Sequence, residues 1–219
     1  MTTATLAKIL TILKKEIKKW KVPAVGQIAE ESVDRPFGTL ISCLLSLRTK
    51  DAVTEAASRR LFQRASTPKA ILELTPEEIE KLIYPAGFYR TKAKNILKIC
   101  EILLNQYDGR VPDTIDQLLN LPGVGRKTAN LVVTVGYDED GICVDTHVHR
   151  ISNRWGYIKT KTPDESEFAL RKKLPKKYWK TYNDILVTFG QNLCQPVSPW
   201  CSRCALSDFC PKIGVIHRR

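Results

Sequence analysis

The chain has 219 residues, of which 43% are hydrophobic and 26% charged, and its formal net charge is +12. This length and balance fit a folded protein of one domain or two small ones, and they exclude general disorder. Its apolar runs are far shorter than the ~20 residues that a bilayer span needs, and no secretory signal is visible. We therefore expect no membrane partner and, in a prokaryote, a cytoplasmic or nucleoid-associated protein.

The excess positive charge lies at the two ends of the chain. Residues 1–28 carry a net +5 and residues 140–219 a net +7, whereas residues 29–139 hold 15 basic and 15 acidic side chains. We predict a neutral domain over 29–139 and a basic domain built from both chain ends, 1–28 plus 140–219. A basic surface attracts nucleic acid by counterion release, although a solvated helix face gives the same charge pattern.

Recurring sequence signals mark the starts of helices. Thr67, Thr75 and Thr162 each precede a proline, which is typical of an N-cap followed by the first helical residue. After Thr75 and Thr162, a glutamate at the third position predicts a capping box. By the same reasoning, Asp113 is predicted to cap the helix that contains Ile115.

The valine-rich segment 131–135 gives conflicting signals. Its β-branched side chains favour a strand. The segment nevertheless continues from residues 126–130 without a turn signal, so we predict a buried helix. Since few other segments alternate apolar and polar side chains, the fold class is predicted to be all-α.

A glycine-containing loop, Leu-Pro-Gly-Val-Gly at residues 121–125, separates two helical stretches. Its two glycines permit a tight turn with outward-pointing N–H groups, and the next helix is predicted to begin near Arg126. Backbone N–H groups and a helix N-terminus together bind anions, so we predict phosphate binding by Gly123, Val124, Gly125 and Arg126. An ordinary helix–helix turn is the alternative.

The seven cysteines fall into two groups. Cys43, Cys100 and Cys143 are scattered among apolar residues and are predicted to be small buried side chains. The other four crowd the C-terminal region and indicate a metal or iron–sulfur centre; they are Cys194, Cys201, Cys204 and Cys210. Zinc sites more often contain two Cys-x2-Cys pairs, whereas iron–sulfur clusters accept uneven spacings of this kind.

Three motifs, in this order, resemble the endonuclease III family of helix–hairpin–helix DNA glycosylases. They are residues 121–129 (LPGVGRKTA), residues 144–148 (VDTHV) and the spacing Cys-x6-Cys-x2-Cys-x5-Cys over 194–210. The resemblance implies a two-domain helix–hairpin–helix glycosylase fold with an interdomain DNA-binding cleft and a [4Fe–4S] cluster on the four C-terminal cysteines. The six-helix domain with the hairpin is then 29–139, and the cluster domain is 1–28 plus 140–219.

The resemblance also implies catalytic roles for Lys127 and Asp145. Lys127 lies in a predicted first helical turn beside Arg126, where the helix dipole, the neighbouring charge and burial all favour the neutral, nucleophilic amine. In the family this lysine attacks the sugar C1′ of a damaged nucleotide, and β-elimination through a Schiff base then cuts the strand. The aspartate supports the lysine and the cationic sugar, although a helix cap alone also explains Asp145. The implied enzyme is a bifunctional DNA glycosylase and AP lyase for oxidised pyrimidines in base excision repair.

Other family positions imply contacts with double-stranded DNA that contains damaged pyrimidines or abasic sites. Phe88 matches an apolar wedge, with core packing as the alternative, and His147 matches a residue near the flipped nucleotide. Arg48 stands where glutamine is common in the family. It donates hydrogen bonds but accepts none, which leaves the preference for the opposite base open. Since members of the family are usually monomers, the resemblance also implies a monomer.

Alternative functions stay open on the sequence alone. One is a mismatch glycosylase for thymine or uracil opposite guanine. Another is a non-enzymatic DNA-binding module with a structural cluster. An electron carrier needs neither the hairpin nor the pair Lys127 and Asp145. At the cysteines, zinc and bare thiols are the alternatives to the iron–sulfur cluster.

Overall fold

The computed structural model describes residues 1–21 and 23–219, and within these ranges it contains helices, turns and loops but no strand. The prediction of an all-α fold is therefore confirmed. None of the described helices is long and apolar enough to cross a membrane. The α-helices are α1 (Thr3–Glu16), α2 (Ala24–Glu31), α3 (Arg35–Ser46), α4 (Asp51–Arg64), α5 (Pro68–Leu72), α6 (Pro76–Ile83), α7 (Tyr89–Gln106), α8 (Ile115–Leu118), α9 (Arg126–Leu131), α10 (Thr146–Arg154), α11 (Pro163–Lys173) and α12 (Trp179–Asn192).

The chain folds into two compact units. The first comprises Met1–Val22 and Ile142–Arg219, and the second comprises Pro23–Gly141. Both chain ends thus belong to one unit, which holds 20 basic and seven acidic residues. The second unit holds 15 basic and 16 acidic residues, so the positive charge of the protein belongs to the first unit.

The second unit is built around α3. Nine of its twelve residues are buried, from Phe37 to Leu45. Helices α2, α4, α7 and α9 all pack against it. The hydroxyls buried on α3 bond to carbonyls of their own helix, as Ser42 Oγ does to the Gly38 oxygen at 2.6 Å. An all-round buried helix is stable only when its polar groups are paired in this way.

The first unit has a separate apolar core. Residues of α1, α10, α11 and α12 supply most of it, among them Leu10 and Phe189, and Trp155 directly after α10 joins them; these three are at most 2% exposed. One buried polar pair joins α10 to α12, since Ser152 Oγ lies 3.0 Å from the Tyr182 hydroxyl. The heptad-like spacing of apolar residues on α1 places its lysines on the opposite, solvated face.

The predicted helix caps are confirmed in part. Thr67, Thr75 and Thr162 each accept a hydrogen bond from the backbone N–H three residues on, and Thr75 forms the complete capping box. The capping box predicted at Thr162 is wrong, because the Glu165 carboxylate accepts from the Lys161 N–H instead.

The prediction of an N-cap at Asp113 is also wrong. Thr114 caps α8, because its hydroxyl accepts from the Gln117 N–H at 3.4 Å. The two candidates are adjacent polar residues, and sequence alone does not fix which of them starts the helix.

The valine-rich segment 131–135 is helical and mostly buried, as predicted. It is a π-helix over Val132–Gly136 that continues α9. Gly136 lies so close to α3 that a Cβ there would meet the Pro36 Cα at 3.0 Å. The wider π turn is a known insertion within α-helices, often at functional sites.

Candidate catalytic and nucleic-acid-binding residues

The hairpin between α8 and α9 has the turn geometry that its two glycines allow. Gly123 has φ +78°, in the left-handed region, and Gly125 is extended with φ −103°. Both are exposed, whereas Val124 between them is 7% exposed and packs into the core of the second unit. The buried valine therefore anchors a loop whose backbone on either side faces solvent.

Lys127 is the second residue of α9, as the sequence predicts, and is partly exposed. The next residues, Thr128 to Leu131, are buried. Asn130 Nδ2 donates to the Arg126 carbonyl at 3.0 Å, and Cys43 on α3 donates to Thr128 Oγ1 at 3.5 Å. The helix that carries Lys127 is therefore fixed to α3.

Asp145 is the N-cap of α10 in the first unit. Its Oδ1 accepts from the His147 N–H at 2.8 Å and from the Val148 N–H at 2.9 Å. One carboxylate oxygen thus holds the start of the helix, and Arg150 of the same helix also interacts electrostatically with this carboxylate.

Arg150 ties the start of α10 to the segment that contains the first clustered cysteine. Its Nη2 lies 3.1 Å from His147 Nδ1 and donates to the Cys194 carbonyl at 2.7 Å. Burial lowers the pKa of the Arg150 guanidinium. Gly190 of α12 permits the close approach, because a Cβ at this glycine would overlap the His147 ring.

The four C-terminal cysteines line one pocket of the first unit. Its walls include the apolar side chains of Trp155, Phe189 and Leu206, and two basic residues, Arg154 and Lys212. Burial raises the pKa of the Cys204 thiol to about 11. Among the described residues, no three His, Cys, Asp or Glu side chains converge closely enough to hold a single metal ion.

Arg154, at the end of α10, contacts this pocket directly. Its Nη1 donates to Cys194 Sγ at 3.4 Å and to the Gln195 carbonyl at 2.7 Å, and its Nη2 donates to the Pro196 carbonyl at 2.6 Å. The arginine is 7% exposed. Arg154 therefore holds the backbone directly after Cys194 by hydrogen bonds, and it places a positive charge next to the Cys194 sulfur.

The remaining three cysteines are buried, as predicted. Cys43 and Cys100 are 0% exposed and Cys143 is 2% exposed. Burial raises the pKa of Cys100 to about 12, so this thiol stays protonated at neutral pH.

Arg48 and Phe88 lie together on the surface of the second unit. Both have left-handed backbones, with φ +52° and φ +57°. The Arg48 guanidinium carbon lies 5.4 Å from the centre of the Phe88 ring. Phe88 is 61% exposed, so the alternative of core packing is wrong. The two residues share a pocket with Asn95 and with Gly123 of the hairpin.

Some contacts at these sites have no signal in the sequence. Arg154 reads as an ordinary basic residue in the last turn of a helix, yet it is buried against the cysteine pocket. Thr49 has the sequence context of an ordinary turn residue, yet its hydroxyl accepts hydrogen bonds from the Gly87 N–H and from Lys92 Nζ. Sequence reasoning missed both residues, because their contacts depend on packing between distant segments.

Comparison with known proteins identifies the class of protein to which this chain belongs. The family model described as "HhH-GPD superfamily base excision DNA repair protein" matches residues 41–176. Endonuclease III of Thermotoga maritima is 50% identical over 195 residues, which are 85% of this chain and 92% of that protein. The chain covers 48% of the chloroplastic Endonuclease III homolog 2 of Arabidopsis thaliana, at 47% identity over 81% of this chain.

A solved structure described as "Structure of a Trapped Endonuclease III-DNA Covalent Intermediate: Estranged-Adenine Complex" is also similar. It has a TM-score of 0.84 and 36% identity, and the match covers 97% of each chain. The chain belongs to the endonuclease III family within the HhH-GPD superfamily. It is a base excision repair enzyme of the DNA glycosylase and AP lyase class.

The hairpin geometry gives a testable difference between its two glycines. Gly123→Ala forces a side chain into the left-handed region, with its Cβ 2.7 Å from Asn95 Nδ2. We expect it to lower the free energy of unfolding by about 1–3 kcal/mol. Gly125→Ala is the matched control, because nothing lies within 4 Å of its Cβ and its φ is ordinary. Urea denaturation of both variants measures this, and equal losses would contradict the geometry.

Proposed function

We propose that this enzyme excises oxidised pyrimidines from double-stranded DNA and cleaves the strand through a Schiff base on Lys127. The observation that carries the proposal is the position of Lys127. It lies in the first turn of α9, directly after an exposed glycine hairpin, in a member of the endonuclease III family. A hairpin that holds a DNA phosphate through its backbone N–H groups would place the adjacent lysine beside the neighbouring deoxyribose.

In the proposed reaction, the Lys127 amine attacks C1′ and forms a C–N bond while the bond from C1′ to the damaged base breaks. The base leaves with the bonding electrons and takes up a proton. Ring opening gives an iminium ion between Nζ and C1′, loss of a C2′ proton follows, and the C3′–O bond breaks by β-elimination. Hydrolysis then frees the lysine. Such covalent catalysis replaces one difficult displacement by easier steps.

Asp145 is proposed to stabilise the positive charge that develops on the sugar and to support the attacking amine. Its carboxylate accepts two backbone hydrogen bonds through Oδ1 at the α10 cap. A cap of this kind fixes the carboxylate before substrate binds, and preorganised charge is what stabilises a cationic transition state.

We propose that the positive charge of the first unit binds the DNA backbone. Counterion release by lysines and arginines supplies sequence-independent affinity. In support, the similar solved structure is that of an endonuclease III–DNA covalent intermediate. In this chain the backbone of Gly123, Val124 and Gly125, together with Arg126, is proposed to hold a phosphate, and His147 to contact the flipped nucleotide. Arg48 and Phe88 are proposed to fill the gap that nucleotide flipping leaves, since an extruded base must be replaced in the stack.

Phosphate contacts near the cysteines are proposed for arginines outside the segment between Cys194 and Cys201, because residues 195–200 contain no charged side chain. Arg219 lies over this segment: its guanidinium carbon is 3.9 Å from the Trp200 ring centre, and its Nε donates to the Ser198 carbonyl at 3.0 Å. Arg203 also lies over Trp200, at 4.5 Å. Both arginines are exposed.

The C-terminal cysteines are proposed to hold a [4Fe–4S] cluster. Four thiol side chains around one pocket match its need for four thiolate ligands, and Arg154 and Lys212 offset the negative charge of those thiolates. Zinc sites more often contain two Cys-x2-Cys pairs, whereas this segment contains one, at Cys201 and Cys204. When bound, the cluster would serve to hold the segment 194–210 in place. The proposed chemistry of Lys127 and Asp145 needs no electron from it.

Reductive trapping tests the role of Lys127. With borohydride and abasic-site DNA, the wild-type chain should form a covalent adduct, because the reductant converts the Schiff base into a stable amine. Lys127→Ala should form none, whereas the matched substitution Lys94→Ala, at an exposed lysine of α7, should behave as wild type. Denaturing electrophoresis measures the adduct. Its absence from the wild type would favour a non-enzymatic DNA-binding module.

Asp145→Asn separates catalysis from helix capping. Asparagine accepts the same two N–H groups and caps helices as well as aspartate does, so the free energy of unfolding should change by less than about 0.5 kcal/mol. The single-turnover rate of base removal should fall by about 10²-fold or more, because the charge is lost. A rate near that of the wild type would show that the carboxylate serves only as a cap.

Single substitutions test the cluster ligands. Cys204→Ser should purify with much less iron and acid-labile sulfide than the wild type, which should hold about four iron atoms per chain. Cys100→Ala is the control and should keep its iron, because its protonated, buried thiol lies in the other unit. Zinc in place of iron in the anaerobically purified wild type would contradict the assignment.

The substrate class is tested with a panel of duplexes that carry thymine glycol, uracil opposite guanine, abasic or adenine:8-oxoguanine sites. We expect excision of thymine glycol and cleavage at the abasic site. Efficient excision of uracil opposite guanine without excision of thymine glycol would instead identify a mismatch glycosylase.

A further inference from the structure

One buried ammonium group in the second unit has no part in the chemistry described above. Lys92, on the first turn of α7, is 7% exposed. Its Nζ donates to the carbonyls of Leu45 and Leu47, both at 2.7 Å, and to Thr49 Oγ1 at 3.0 Å. All three of its hydrogen-bond positions are therefore filled, without any carboxylate.

These hydrogen bonds satisfy backbone carbonyls at the C-terminal end of α3. The last carbonyls of a helix have no partner within it, and they carry the negative end of the helix dipole. An ammonium group from α7 takes the place of water there. It thereby fixes the turn Leu47–Lys50, on which Arg48 stands.

The same group fixes the loop that carries Phe88. Thr49 Oγ1 accepts not only from Lys92 but also from the Gly87 N–H, at 3.0 Å. The two backbones touch at this point, because a Cβ at Gly87 would overlap the Arg48 carbonyl oxygen. The Lys92 N–H also donates to the Phe88 carbonyl at 3.0 Å. Two turns far apart in sequence are thus joined through one lysine and one threonine.

Both residues that these turns present have backbones that need external support. Arg48 and Phe88 lie in the left-handed region, which side chains other than glycine adopt at a cost in free energy. Such conformations persist only where the surrounding contacts impose them. The contacts that impose them here are those of Lys92, Thr49 and Gly87.

We propose that Lys92 and Thr49 are positioning residues that hold Arg48 and Phe88 as one rigid element for extrusion of the damaged nucleotide. This inference rests on the proposed function, in which Arg48 and Phe88 replace the flipped nucleotide. Two side chains that enter the same base-pair step must keep a fixed separation, and independent turns would lose conformational entropy on binding. The cation–π contact between them is consistent with one element.

Two variants break this connection in different ways. Lys92→Met removes the ammonium group and keeps most of the side-chain length. Thr49→Val removes only the shared hydroxyl and keeps the shape. The controls are Thr49→Ser, which keeps the hydroxyl, and Lys94→Met, which makes the same change at an exposed position of the same helix.

The first measurement compares two substrates. On a thymine glycol duplex, Lys92→Met and Thr49→Val should lower the single-turnover excision rate by about tenfold or more, the size of one hydrogen bond to a charged group. They should also reduce the fluorescence rise of 2-aminopurine placed opposite the lesion. Borohydride trapping on single-stranded abasic DNA should stay within about twofold of wild type, because nothing must be extruded. Both controls should match the wild type.

The second measurement uses the unliganded protein. Amide hydrogen exchange should become faster in both turns, 47–50 and 86–88, in each of the two variants and in neither control. Loosening of only one turn, or wild-type excision of the duplex lesion by Thr49→Val, would overturn the inference. An equal loss of excision activity on the duplex and of trapping on single-stranded DNA would also overturn the inference. If the wild type itself lacks trapping activity, the proposed function fails, and hydrogen exchange still decides whether the two turns are coupled.

Discussion

The burial of α3 is the constraint on which the second unit depends. In a helix that is covered on nearly all sides, the side-chain hydroxyls must form hydrogen bonds within the helix. Its terminal carbonyls must accept hydrogen bonds from another element. The partner at its C-terminal end is the Lys92 ammonium group. Burial lowers the pKa of Lys92 to about 8.

The functional segments of the second unit are attached to this one helix. Helix α9, with Lys127, packs on its middle, where Cys43 meets Thr128. The turn with Arg48 leaves its end, and the loop with Phe88 is bonded to that turn through Thr49. A proposed nucleophile and the proposed gap-filling residues therefore share a rigid support, and a glycosylase needs this because a small displacement of reacting groups is costly.

In the first unit, two arginines of α10 have the corresponding role. Asp145 starts this helix, Arg150 binds the Cys194 carbonyl, and Arg154 binds both the sulfur of Cys194 and the carbonyls that follow it. The cap of the proposed catalytic carboxylate and the segment with the clustered cysteines are thus held by one helix of nine residues. A cluster on the four cysteines would hold the segment 194–210, to which these arginines bind.

The local features of this protein can be predicted from its sequence. Helix caps at Thr67 and Thr75, the hairpin between α8 and α9, the position of Lys127 in a first turn and the cap at Asp145 follow from neighbouring residues, because backbone geometry and capping are short-range. The family motifs are local in the same sense. Even so, the cap predicted at Asp113 lies at Thr114, and the capping box predicted at Thr162 does not form, since adjacent polar groups offer competing hydrogen bonds.

Which charged side chains are buried, and which groups they bind, depends on packing between distant segments of the chain. Nothing in the sequence marks Lys92 or Arg154 as buried, and each is 7% exposed in the fold. The left-handed backbones of Arg48 and Phe88 were equally invisible, because no glycine marks them. The physical reason is the same in each case. The free energy that keeps a charge or a strained residue in place comes from carbonyls and hydroxyls about 40 residues away along the chain, and no local pattern records them.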